Sequence, residues 1–338
     1  MLLLILDSRC AVQSAGEALG LCLKTVIPSL FPMFVLSGLL VSERGGPAGM
    51  LLSAMERWLA LPRGSGSILL IGIVGGFPVG AQCITQAVEG GSLSREDGEK
   101  MLGFCNNCSP AFLFGIVGGV FGNLTAPLLI FLIQLETALL LASYTDFKQA
   151  SSVTARRLPC TVADAVSRGI RSSVSVCAWV ILAGVVSGFL KRWLFPLFPA
   201  PIPQIITGIL EITGGILGLS SVHREELRFL LCTFFVCFGG FCVWMQIGAV
   251  VAPLGFSTAR CFRQKTVQAA LGSVIAAGVL LLGPVGLMIP VILLLIRKKT
   301  LEKPIRNVYN GSRKGGLDPC CSVKKSSVPV STAPAAPS

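Results

Sequence analysis

The sequence predicts an all-α polytopic membrane protein of two pseudo-symmetric, inverted repeats with broken and re-entrant helices. Three observations predict it. The first is composition. Of 338 residues, 53% are hydrophobic and only 13% charged, with a mean hydropathy of +0.77; a soluble domain is about 25% charged. The second is a set of uncharged runs at 25–42, 64–88, 101–135, 172–190, 193–210, 229–259 and 266–296. Each reaches the roughly 18 residues that mark a spanning helix. The third is a short string that the chain contains twice.

That string is Gly75-Gly76-Phe77-Pro78-Val79-Gly80-Ala81-Gln82, and its second copy is Gly239-Gly240-Phe241-Cys242-Val243-Trp244-Met245-Gln246. Gly, Gly, Phe, Val and Gln coincide at an offset of 164 residues (75 to 239, 82 to 246). Adjacent glycines disfavour a plain helix, since glycine costs about 1 kcal/mol against alanine and proline about 3. Lipid cannot satisfy the N–H and C=O groups that such a break frees, so the break must face protein or water. A broken helix that recurs in both halves points to a transporter-like site.

Taken in order, residues 1–14 read as a short leader or a truncated first helix, because they lack the basic start and long apolar core of a cleaved signal peptide. Residues 15–145 form the first repeat. Its first helix, 15–42, should kink at Pro28 and Pro32. A turn follows at 42–49. The helix at 50–61, carrying Glu56 and Arg57, is too short to span and suits the interface. Residues 64–88 pass through the first string and end at Glu89-Gly90-Gly91. Ser94 and Asp97 have capping-box spacing. The helix that they open meets Phe104-Cys105-Asn106-Asn107-Cys108-Ser109-Pro110, where Pro110 blocks continuation. Residues 111–121 then read as an arm of a re-entrant hairpin, Gly122-Asn123 as a turn, and 124–143 as a spanning helix carrying Gln134 and Glu136.

A polar, basic linker at 146–162 separates the halves, and 163–296 repeats the order. The helix at 163–190 matches 15–42. The segment 201–219 holds Glu211 in the place of Glu56, and 229–251 carries the second string. Leu93-Ser94 and Phe256-Ser257 each open a charged turn, 12 and 11 residues beyond their glutamines. Residues 266–296 close the unit, interrupted at Gly283-Pro284. The tail, 297–338, is basic, lacks apolar periodicity and reads as disordered. It favours a cytoplasmic C-terminus, while Arg260, Arg263 and Lys265 pull the opposite way.

The formal net charge of +12 sits in short loops and the tail. There it orients the chain and touches anionic lipid, so the bilayer rather than nucleic acid is the expected partner. The 13 cysteines are odd in number and mostly single within apolar runs, which argues against a disulfide framework. His223 is the single histidine, in the polar run His223-Arg224-Glu225-Glu226, and reads as a solvated loop end. Cys105 and Cys108 lack the second pair or nearby histidine that a zinc or redox site needs. Cys320-Cys321 is a weak acylation signal, and there is no Walker loop. No catalytic residue, metal ligand or cofactor is expected.

The expected site is polar and intramembrane. It takes Gly75, Gly76, Pro78, Gly80 and Gln82 from the first string, and Gly239, Gly240 and Gln246 from the second. Asn106, Asn107, Ser109, Pro110 and Glu211 complete it. Side-chain amides donate and accept, which suits a neutral polar solute or a coordinated cation; alternatively, they satisfy the broken backbone itself. A charge at membrane depth costs at least about 2.5–3.5 kcal/mol and tends to mark a pathway or a pair. Glu211 is therefore functional or interfacial, and Glu136 is functional or paired with Lys24.

Four segments together resemble a known family. They are Val26-Ile27-Pro28-Ser29-Leu30-Phe31-Pro32, Gly76-Phe77-Pro78-Val79-Gly80-Ala81, Leu93-Ser94-Arg95-Glu96-Asp97-Gly98-Glu99, and Phe104-Cys105-Asn106-Asn107-Cys108-Ser109-Pro110-Ala111-Phe112. The chain resembles the sporulation integral membrane protein family of the YlbJ type, grouped with proteins carrying the nucleoside-recognition Gate domain. The resemblance covers residues 15–296, and its most specific part is the Asn-Asn segment. It implies a multi-pass protein of the cell membrane in an endospore-forming bacterium, acting in spore formation in connection with the cortex. Other sporulation membrane proteins are implied partners. The substrate implied by "nucleoside recognition" is a fold-level analogy. Two functions stay open: transport or gating of a small polar solute, nucleoside-like or other, and a non-transporting membrane scaffold for cortex assembly.

Overall fold

A computed structural model describes residues 5–40, 47–147, 161–199, 201–288 and 290–295. The first four residues of the leader, most of the turn at 42–49, most of the linker, and the basic tail with Cys320-Cys321 lie outside the described residues. Every regular element among the described residues is helical.

The first half opens with α1 (Ser8–Leu21), which passes through a π turn (Cys22–Val26) into α2 (Ile27–Leu40). This helix begins within the stretch read as a leader. Asp7 caps it, its Oδ1 accepting from the Cys10 N–H at 3.3 Å. The path bends by 50° between Ser8–Val26 and Leu30–Leu36, where Pro28 and Pro32 remove two backbone donors. The short α3 (Pro47–Leu59) follows.

Next, α4 (Gly66–Gly75) and α5 (Val79–Glu89) fold back on one another. A side chain at Gly72 would press on the Gly80 Cα, so the two arms touch backbone to backbone. Ser94 caps α6 (Arg95–Met101) by accepting from the Asp97 N–H at 3.1 Å. Residues 102–109 leave the helix, and α7 (Pro110–Phe121) resumes it. Gly122 turns the chain with φ +67°, Asn123 accepts from the Ala126 N–H at 3.0 Å, and α8 (Thr125–Ser143) spans.

The second half starts with α9 (Val162–Phe189), opened by a Thr161–Asp164 capping box and prolonged by a π turn (Leu190–Leu194) and a 3-10 turn (Phe195–Leu197). The uncharged run at 193–210 is not a span. Pro196, Pro199, Pro201 and Pro203 interrupt it, and α10 (Ile202–Leu210) has only nine residues. At Glu211 the chain reverses into α11 (Ile212–Gly218), and a side chain at Gly215 would overlap the Gly208 Cα. By contrast, α12 (Glu225–Phe238) and α13 (Gly240–Val251) flank Gly239 yet continue as one span, Glu225–Leu254. The last span, Ala259–Leu287, is α14 (Ala259–Leu282) plus a 3-10 turn beginning at Gly283-Pro284.

Among the described residues, four helices are thus long and apolar enough to cross a membrane, five with the bent first helix. The chain is an all-α, multi-pass membrane protein. With α3 set aside, the described elements on either side of the linker follow a like order: long first helix, folded-back hairpin, broken helix, spanning helix.

That order differs from the pairing suggested by the repeated string. The first copy forms a hairpin tip, whereas the second sits in the broken helix. By order along the chain, it falls where the Asn106-Asn107 segment falls in the first half, and the first string falls where Glu211 falls in the second. A sequence signal agrees: Arg95-Glu96-Asp97 opens α6 and Arg224-Glu225-Glu226 opens α12, an offset of 129 residues (95 to 224).

The long first helices of the halves pack antiparallel. Gly169 lies against Phe31 and Val35, Gly184 against Ala18, and Gly188 against Ser14. Gly184 and Gly188 form a G-x-x-x-G stripe, which lets helix backbones approach closely within a bilayer.

Candidate functional site

The first break is held by backbone contact and amides. Side chains at Gly72 or Gly80 would both overlap the Cys105 carbonyl oxygen. Asn106 Oδ1 accepts from the Ala81 N–H at 2.9 Å, and its Nδ2 donates to the Leu102 carbonyl at 2.8 Å. Asn107 Nδ2 donates to the Phe104 carbonyl at 2.8 Å. Gln134, on α8, clamps the next residue, accepting from the Cys108 N–H at 2.9 Å and donating to its carbonyl at 3.0 Å. All three amide side chains are buried. They do what lipid cannot, supplying partners to an unwound backbone. Of the two roles open to Asn106 and Asn107, satisfying the backbone is displayed by both polar atoms of the Asn106 amide and by Asn107 Nδ2.

At the second hairpin, Glu211 is buried within the protein. Its Oε1 accepts from the Thr213 N–H at 2.8 Å and its Oε2 from the Gly214 N–H at 2.6 Å. A carboxylate is well placed there, because the first N–H groups of a helix lack internal partners and carry partial positive charge. At the second break, Gly240 packs on the carbonyls of Gly208 and Ile209. Trp244 Nε1 donates to the Phe238 carbonyl at 3.0 Å.

Both hairpin tips and both broken helices converge on an inner chamber of about 70 Å³. The first hairpin supplies Phe77, and the first broken helix Cys108, Ser109 and Phe112. Glu211 and Thr213 come from the second hairpin, Cys242 and Gln246 from α13, and Thr25 and Val176 from the two long helices. A second cavity, of about 560 Å³, lies between α1, α9 and the second hairpin, with Gln13, Glu17, Lys191 and Arg192 in its wall. Glu211 lines both cavities. A cavity needs only about 10–15 Å³ to hold a water, so the chamber has room for a few waters or one small ion. The outer cavity lies within the roughly 300–1,000 Å³ of small-molecule sites.

Of the residues expected from sequence, Ser109, Glu211 and Gln246 meet in the chamber wall. Gly76 backs onto Ser109, and Gly239 onto the Phe77 ring. Gly75, Pro78, Gly80, Gln82, Asn106, Asn107, Pro110 and Gly240 are not in that wall. Glu136 has a buried Oε2 without a hydrogen-bond partner, and Lys24 is exposed; no ion pair joins them. His223 is exposed at a loop end, as expected. Sequence reading missed Lys265 and Gln268 on α14, which reach the first break. Gln268 Nε2 donates to Asn107 Oδ1 at 3.1 Å and to the Gln134 carbonyl at 3.2 Å. The available signal was a lysine and a glutamine three residues apart at the start of a spanning run.

No family model matches the chain, and no solved structure matches it. It is similar to the sporulation integral membrane protein YlbJ of Bacillus subtilis (strain 168), with 24% identity over 291 residues, covering 72% of this chain and 71% of that protein. This supports the YlbJ-type family. The same similarity agrees with the several apolar helices in placing the chain in the cell membrane as a multi-pass protein.

Proposed function

We propose that this YlbJ-type chain carries or gates a small polar solute across the membrane during endospore formation, in two inverted halves. The observation that carries the reading is Glu211. One buried carboxylate, at the tip of a reversed hairpin, stands in the wall common to an outer cavity and an inner chamber. Ionisable groups at membrane depth mark solute and ion paths. The antiparallel pairing of the two long first helices supports inversion, and the relative's designation as a sporulation protein supports the setting. By volume, a nucleoside-sized solute fits the outer cavity and not the chamber, so it would bind outside Glu211 before any rearrangement.

A second reading, a membrane scaffold for the spore cortex with other sporulation membrane proteins as partners, is favoured by one observation. Asn106 and Asn107 are spent on internal bonds. Gln246→Leu separates the two. Gln246 lines the chamber, and the bond found for its amide is to Cys242 Sγ at 3.4 Å, so the fold should tolerate the change. In a spore-forming host dependent on this chain, transport predicts loss of heat-resistant spores at normal membrane levels. Full sporulation would favour the scaffold. Melting-temperature shifts of the purified protein with nucleosides, peptidoglycan precursors and metal ions would then sort solute classes.

A further inference from the structure

We propose that Lys265 is a tethered cation: its ammonium fills, from within the chain, a monovalent-cation site at the first break and pins the two halves together there. Lys265, in the second turn of α14, is 0% exposed. Its Nζ donates to Gln268 Oε1 at 2.8 Å and, at a longer 3.4 Å, to Asn107 Oδ1. It also stands 5.1 Å from the centre of the Phe77 ring. An ammonium has three donors and no acceptor, and it meets two amide oxygens and an aromatic face.

Those oxygens are aimed by the rest of the network. Asn107 Nδ2 is spent on the Phe104 carbonyl, and Gln268 Nε2 on Asn107, Gln134 and Thr137. The contrast with the other buried lysine is informative. Lys100 reaches Glu96 at 3.0 Å and Asp97 at 3.8 Å, whereas Lys265 has no carboxylate within ion-pair distance among the described residues. The titratable groups around it are thiols: Cys105 and Cys108 from the break, Cys237 from α12, and Cys261 from its own helix. Neutral oxygens with a ring face and no carboxylate make a set that holds a singly charged cation. Unwound helices of transporters present such oxygens to a coupling ion.

The contacts also cross the molecule. Lys265 and Gln268 belong to the second half, and Asn107 and Phe77 to the first. Phe77 lines the chamber, so the cation fixes one of its walls. This inference does not need the transport reading, and its test uses no solute.

The test is the melting of purified full-length protein in detergent with choline chloride as the base salt. Lys265→Ala leaves the amide oxygens and opens the site, while Lys265→Met fills the volume without charge. Both variants should melt well below wild type. Sodium or ethylammonium chloride should raise K265A saturably, by about 3 °C or more at high occupancy, and leave wild type and K265M unmoved. An unresponsive K265A would overturn the proposal, and so would a K265M that melts like wild type. If K265A cannot be recovered folded, K265M decides alone: wild-type melting overturns the proposal, and a large drop sustains it.

Discussion

The two GGF stretches share five residues and behave differently. At the first, Gly76 (φ +81°) turns the chain back, so that α5 returns along α4 with Gly80 against the Cys105 carbonyl. At the second, Gly239 and Gly240 (φ +85° and +80°) admit a local break, and the span carries on. Phe77 is 8% exposed and faces the chamber and Lys265. Phe241 is 42% exposed and joins an outer ring cluster, 5.3 Å from Trp244. Most telling is the sixth residue of each copy. The first has Gly80, where not even a methyl group fits; the second has Trp244, whose indole caps a freed carbonyl. Paired glycines mark where a helix breaks. What packs on the break decides whether the chain reverses or passes through.

The comparison can be broken most directly at Gly80. A methyl there meets a backbone carbonyl, which cannot swing away as a side chain could. Gly80→Ala should cost about 3 kcal/mol or more, seen as lost recovery of folded protein from membranes. Gly248→Ala, in the helix of the second copy, meets Thr258 Cγ2 at an ordinary 3.6 Å. It should be neutral or stabilising by up to about 1 kcal/mol. Equal losses at the two sites would mean that the breaks are alike after all. The phenylalanines give the next largest contrast. Phe77→Ala should cost about 3 kcal/mol through the space left in a packed interior, and Phe241→Ala about 1 kcal/mol or less, since its ring is already partly outside. Melting temperatures in one detergent would rank them.

Much of the architecture was legible because it rests on local chemistry. Uncharged runs marked α8, α9 and the last two spans, the Ser94–Asp97 spacing marked the start of α6, and Gly122-Asn123 and Gly283-Pro284 marked turns. The two strings, alike in five letters, nevertheless take different backbone paths. A less conspicuous signal, the Arg-acid-acid starts of α6 and α12, follows the order of elements instead. The run at 193–210 misled because hydropathy counts apolar prolines favourably although they stop helices. In the chamber, Ser109, Glu211 and Gln246 were readable as polar groups in apolar runs. Thr25 and Phe77 were not, since nothing local separates a chamber wall from an ordinary core face. Lys265 was read as a loop charge that orients the chain, because sequence alone does not show which face of α14 turns inward; Phe262 and Arg263 beside it are exposed, whereas Cys261 and Lys265 are buried.

The smallest effect sharpens a different pairing, that of Glu56 with Glu211. Both carboxylates cap an arm of a hairpin. Glu56, half-buried on α3, accepts from the Gly66 N–H at 2.8 Å, at the start of the first hairpin. Glu211 caps the second arm of the second hairpin through two bonds and is 8% exposed. A glutamine keeps the shape but holds a single acceptor oxygen and no charge. Glu211→Gln therefore gives up one N–H contact and the charge on both, about 1–2 kcal/mol. Glu56→Gln keeps its one bond and should cost about 0.5 kcal/mol or less. If the two shift melting equally, burial of Glu211 contributes nothing to the cap. If Glu211→Gln leaves melting intact yet abolishes sporulation, the carboxylate acts on what passes between the cavities, and the cap is incidental to its role.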